Sequence, residues 1–112
     1  MNFNEYQQET RRTAPKIDDV LGCLINFSMG LSGESGEVTD HIKKVAFQGH
    51  DLDKEEIAKE LGDVLWYVAR TADSIGYKLE DIAEMNVKKL RKRYPNGFSE
   101  EASRNRVEEN ER

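Results

Sequence analysis

The sequence holds one cysteine, two prolines, one tryptophan and two histidines. A lone cysteine excludes an internal disulfide, and Cys23, set in the apolar run VLGCLINF, reads as a buried, inert thiol. With prolines only at positions 15 and 95, no helix breaker of that kind interrupts the long stretch between them. β-branched runs are scarce, which leaves little from which to build a sheet. No apolar run nears the roughly 18 residues of a membrane span, and residues 1–13 are too polar for a signal peptide, so the cytoplasm is the expected location. Neither histidine completes a metal-binding pattern. Val38 stands three before His41 and Phe47 three before His50, so the Glu-x-x-His of di-iron bundles is missing, and both histidines read as surface residues. Positive charge is also short: 17 Lys and Arg face 22 Asp and Glu, a net −5, which argues against a nucleic-acid surface or a polybasic membrane patch. An anionic small molecule stays open, because a bound cation reverses the local sign.

What is present is charge in helical order. Charged residues are 35% of the 112, against roughly 25% in an average domain. The length fits one domain with a modest core, which association with a second copy would enlarge. A first helix is predicted over 3–13, with Phe3, Tyr6, Gln7 and Thr10 on one side. A second runs from a cap at Asp18 or Asp19 to about Phe47. Its first half is apolar almost all round (Val20, Leu21, Leu24, Ile25, Phe27, Met29, Leu31), which predicts burial from several sides. Its second half offers Val38, Ile42, Val45 and Ala46, and a bend near Gly30 is expected. Asp53, with Glu56 three residues on, resembles a capping box and opens a third helix that Gly76 stops. A fourth covers about 79–94, with Ile82, Met85, Leu90 and Tyr94 inward, and Pro95 and Gly97 end it. The expected architecture is all-α, a four-to-five-helix bundle with its core completed by homo-oligomerisation. It forms one domain over 1–98, followed by a charged tail, 99–112, that is mobile or lies on the surface. Short connections make the second and third helices an antiparallel hairpin.

The stretch GLSGESGEVTD places three glycines, Gly30, Gly33 and Gly36, around Glu34 and Glu37. A helical glycine costs about 1 kcal/mol relative to alanine. The two acids, three apart, share a face. Glu60 and Asp63 repeat that spacing in the third helix, flanking its buried stripe. From the turn at 48–52, Glu37 lies about as far back as Glu60 lies forward, so the pairs can stand at similar heights on adjacent helices. Like charges ~4 Å apart repel by about 4 kcal/mol at an effective dielectric near 20. Such a cluster survives if the acids stay apart in water, if some take up protons, or if a cation sits among them, and all-oxygen ligation suits Mg²⁺, with Mn²⁺ as a substitute. Gly33 and Gly36 would leave room there for a hydrated cation or a close helix neighbour.

On the fourth helix Asn86, Lys89 and Arg93 fall at successive turns. Lys89 and Arg93 can reach phosphate oxygens or simply belong to a basic outer face with Lys88, Arg91 and Lys92. Tyr67, four after Asp63, shares its face and can touch a base or sugar; most aromatics so placed are core. Lys43 and Lys44 lie one turn or more past Glu37 and balance its charge or the helix dipole.

The segments GLSGESGEVTDHIKK, ELGDVLWYV and NVKKLRKRYPNGF together resemble the MazG-type nucleotide pyrophosphohydrolases of the all-α NTP pyrophosphatase superfamily, from about Leu31 to Phe98. The start, NEYQQETRRTA, resembles short single-domain members often found in bacteria and their phages. The resemblance implies Mg²⁺-dependent hydrolysis of a nucleoside triphosphate to the monophosphate and pyrophosphate, in house-cleaning or pool control. It also implies bundles completed across a homodimer, sometimes paired into tetramers. The family's ExxE and ExxD fall on Glu34, Glu37, Glu60 and Asp63, which implies metal ligation by all four. Asn86 and Lys89 match a stretch that meets the substrate, and Arg93 and Tyr67 join them as substrate contacts. Within that scheme Glu37 takes the water's proton and Lys89 stabilises the departing pyrophosphate. The competing reading is a non-enzymatic helical interaction module whose acids form a solvated face.

Overall fold

The computed structural model describes residues 1–106. Among them are five helices and no strand: α1 Phe3–Arg11, α2 Val20–Phe47, α3 Lys54–Ser74, α4 Leu79–Arg93 and α5 Glu100–Asn105. The fold is all-α. The first three helices each start where a short polar side chain satisfies an orphan backbone N–H. Asn2 Oδ1 accepts from Glu5 N at 2.8 Å while Glu5 Oε1 accepts from Asn2 N at 3.2 Å, a complete capping box. Asp19 Oδ2 accepts from Gly22 N at 2.9 Å and Asp53 Oδ1 from Glu56 N at 3.0 Å. The α3–α4 turn is made by Gly76 at φ +76°, a left-handed conformation that favours glycine.

The start of α4 lacks a local cap: Lys78 makes no side-chain cap bond. Its cap comes from the far end of the chain. Buried Gln7 of α1 accepts from Leu79 N at 2.8 Å through Oε1 and donates from Nε2 to Tyr77 O at 2.9 Å. Both backbone groups are thereby satisfied by one amide, and α1 is tied to the α3–α4 corner. Thr10, one turn on, accepts from Arg70 Nε at 3.0 Å. Arg70 is only 6% exposed, and its guanidinium stands 6.0 Å from the Phe27 ring centre while also donating to Asp73. Arg11 donates to the same Asp73 carboxylate at 2.7 Å. Trp66 meets Phe27 edge-on with ring centres 5.9 Å apart, and its Nε1 donates to Thr13 Oγ1 at 2.9 Å. The buried apolar residues, Phe27, Ala69, Ala72 and Leu79, lie around this α1–α3 crossing.

The hairpin of α2 and α3 forms as expected, but burial differs. The first half of α2 is not enclosed on several sides: Leu21 is 65% exposed, Ile25 51% and Met29 69%. Ile42 and Ala46 in its second half, and Met85 and Leu90 of α4, are exposed too. The reason is topological: among the described residues α3 is the one helix that packs extensively on α2, while α1 and α4 pack on α3 and on each other. A helix with one neighbour can bury one stripe only. The chain is correspondingly open, with a radius of gyration of 17.1 Å against about 13 Å for a compact chain of ~100 residues. Within the expected tail, residues 100–105 are helical, and the part at 107–112 lies outside the described residues. No helix among the described residues is long and apolar enough to cross a membrane.

Candidate functional site: an acidic lane between two helices

One contact sets the register of α2 against α3. A Cβ on Gly30 would stand 2.1 Å from Cε1 of Tyr67, so the ring lies directly on the glycine backbone. Four residues on from Gly30 is Glu34, and four back from Tyr67 is Asp63; seven on is Glu37, and seven back is Glu60. At ~1.5 Å per residue on antiparallel helices, each acid meets an opposite number at its own height. Electrostatics agree with this register. The Glu34 carboxyl is raised above its ordinary value, first by partial burial and then by the negative charges of Asp63, Glu37 and Glu60. Acids from both helices therefore share one field.

Of the two expectations for Gly33 and Gly36, open room or a close helix neighbour, the single chain shows open room. Gly33 and Gly36 have nothing within 4 Å of an added Cβ, so neither admits a close helix neighbour within the chain. Gly30 alone of the three is a close-approach position. Tyr67 also meets Trp66 edge-on, with ring centres 4.9 Å apart, so its ring is held from two sides.

Glu60 Oε2 is enclosed without a hydrogen-bond partner. A neutral group so placed costs about 1–3 kcal/mol, and a charged oxygen more. That orphaned oxygen, in a set of donors that are all carboxylate oxygens, fits a hard divalent cation such as Mg²⁺. The carboxylates are not drawn into a closed cage as they stand: among the described residues no three His, Cys, Asp or Glu side chains are grouped closely enough to hold a metal ion.

The α4 residues are placed elsewhere. Asn86 and Lys89 are exposed on α4. Arg93 is half-buried, with its guanidinium 5.8 Å from the Tyr94 ring centre. Because α4 packs on α1, α3 and α5, the fold of one chain does not lay this basic edge along α2.

Three side chains near the lane were not assigned to it from sequence. Tyr6 of α1 donates its hydroxyl towards Gly62 O at 3.5 Å, and its phenol is raised by burial and then by the charge of Asp63. His41, expected at the surface, is half-buried with Nε2 enclosed and unpartnered. Lys44 lies within the field of Glu37 and Glu60. For His41 and Lys44 the signal was available, since both continue the i+3/i+4 stripe through Glu34 and Glu37. For Tyr6 it was not, since the contact spans 56 residues.

An all-α chain whose central hairpin carries ExxE on one helix and ExxD on the other defines a class of helical proteins with paired acidic motifs. More particularly, the chain belongs to the MazG family: residues 26–98 match the model of the MazG nucleotide pyrophosphohydrolase domain, a span that includes both acidic pairs. It is also similar to the gene 37 protein of Mycobacterium phage L5, 32% identical over 92 residues that cover 79% of this chain and 81% of that protein. No solved structure matches.

Proposed function

We propose that the protein is a divalent-cation-dependent nucleoside triphosphate pyrophosphohydrolase, converting a (d)NTP and water to the (d)NMP and pyrophosphate. The observation that carries this reading is the Gly30–Tyr67 contact, whose register stands Glu34 level with Asp63 and Glu37 level with Glu60. Acids so arranged repel a triphosphate unless a cation intervenes. Glu34, Glu37, Glu60 and Asp63 would hold that cation, Mg²⁺ or Mn²⁺. When bound, it supplies neutralisation of the triphosphate and polarisation of a phosphoryl oxygen.

The remaining work falls to the chain's own side chains. Water adds across the anhydride between the α- and β-phosphates. An oxygen of Glu37, which is exposed and reachable by solvent, takes the water's proton. One P–O bond forms, one breaks, and pyrophosphate leaves with the anhydride oxygen's electron pair. Tyr67, already fixed against Gly30, offers a ring face or edge to the base or sugar. Lys89 and Arg93 offset charge on the leaving pyrophosphate, and Asn86 orients it. Since α4 does not lie on its own α2, a second copy supplies this basic edge, and the exposed Leu21, Ile25 and Met29 give the two copies a surface to share.

The direct test is pyrophosphate release from a panel of canonical and modified triphosphates with Mg²⁺. Glu37→Gln should lower kcat by about 10²-fold or more, and chelation should abolish release. Undiminished turnover in that variant removes Glu37 from the scheme, and no turnover of any triphosphate favours the interaction-module reading.

A further inference from the structure

The α2 face that carries the acids does not end with them. Gly30, Glu34, Glu37, His41 and Lys44 follow one another at alternating spacings of four and three, a single stripe along the helix. At one end the stripe is closed by Tyr67 on Gly30. At the other stands Lys44, 14 residues from Gly30, or about 21 Å along the axis. Helical side chains lean towards the N-terminus of their helix, so the Lys44 stem leans back over the turn that carries Glu37 and Asp40. Its Nζ is 2.9 Å from Asp40 Oδ2. The same carboxylate also holds Lys43 Nζ at 3.4 Å through its other oxygen.

This pairing fixes a direction more than it adds stability. An exposed i,i+4 pair contributes little to stability, because water screens it and two side chains must be held in one geometry. The side chain of Lys44 remains 42% exposed, and an ammonium has three N–H donors of which Asp40 can take one or two. Its proton is held above the ordinary lysine value, first by the hydrogen bond and charge of Asp40 and then by the charges of Glu37 and Glu60. Glu60 belongs to the opposite helix, so the ammonium feels acids of both helices, and its place on the lane follows from the stripe it shares with Glu34 and Glu37. The lane is thus an aromatic ring at one end, four acids in the middle and a braced cation at the other.

We propose that Lys44, positioned by Asp40, binds the pyrophosphate portion of the triphosphate, with the nucleoside directed towards Tyr67. This rests on the reading of the protein as a nucleotide pyrophosphohydrolase and adds to it the direction in which the substrate lies. Lys44 is a substrate-contacting residue, and Asp40 is a positioning residue acting through it.

The test compares wild type with Lys44→Met, Lys44→Arg, Asp40→Asn and the control Lys43→Met, whose residue points off the stripe. Calorimetric titrations of pyrophosphate and of nucleoside monophosphate, each with Mg²⁺, are run beside steady-state turnover of the triphosphate. Lys44→Met should weaken pyrophosphate binding and raise KM by about 10- to 100-fold, the range of a lost charge-assisted hydrogen bond, and leave monophosphate binding unchanged. Lys44→Arg should restore most of the loss, Asp40→Asn should reproduce part of it, and Lys43→Met should match wild type. Equal weakening of both products, or of neither, overturns the proposal even if the enzyme turns over normally. If wild type binds pyrophosphate through Lys44 but hydrolyses no triphosphate, the catalytic reading falls and the pyrophosphate site stands.

Discussion

Tyr67 rests on Gly30 so closely that no Cβ fits between them, and the four acids are aligned from that point. Gly30→Ala would force the ring away. Overpacking costs about 1–3 kcal/mol while helix propensity returns about 1, so a net loss on the order of 1 kcal/mol is expected. Gly33→Ala and Gly36→Ala meet open space and should each gain up to about 1 kcal/mol. Urea denaturation of the three variants distinguishes the positions. Equal effects at all three would show that Tyr67 does not hold the register.

Asp73 makes stability pH-dependent on the acid side. Its carboxyl is held below the ordinary range, chiefly by the hydrogen bond from Arg11 and further by Arg70, with partial burial opposing them. An acid with a depressed folded-state pKa contributes stability that is fully present above its unfolded value and is lost as pH falls through the folded value. Wild type should therefore lose stability below about pH 4 more steeply than Asp73→Asn does. That variant should itself be less stable at neutral pH by about 2–3 kcal/mol, short of the 3–5 of a fully buried pair because Asp73 keeps some solvent contact. Parallel melts from pH 7 to pH 3 give both quantities. Curves of identical shape would exclude Asp73 as the titrating group.

The apolar residues on the outer side of α2 predict self-association. Met29→Glu places a charge on that face without touching the acid lane, since Met29 is 69% exposed in the single chain. Light scattering should show wild type as a dimer or a dimer of dimers. The variant should be shifted towards monomer by at least about tenfold in dissociation constant, as for a central interface residue. Turnover should fall with it, because the basic edge of α4 would no longer meet an acid lane. A monomeric wild type, or an unchanged assembly in the variant, sinks the shared-interface arrangement.

Sequence alone determined the local content of this protein. The cap at Asp53, the cap at Asp18 or Asp19, the stop at Gly76 and the sharing of one helix face by Glu34 with Glu37 and by Glu60 with Asp63 all follow from residues within about four positions of one another, the range over which helix periodicity and capping act. Tertiary structure decided what those ranges cannot reach. Gln7 supplies the cap of α4 across 72 residues, Trp66 is held by Thr13 across 53, and Gly30 rather than Gly33 or Gly36 is the glycine a neighbour requires. It also left half of α2 and the basic edge of α4 uncovered, because an amphipathic pattern records that a face is apolar and not which element, or which copy of the chain, will cover it.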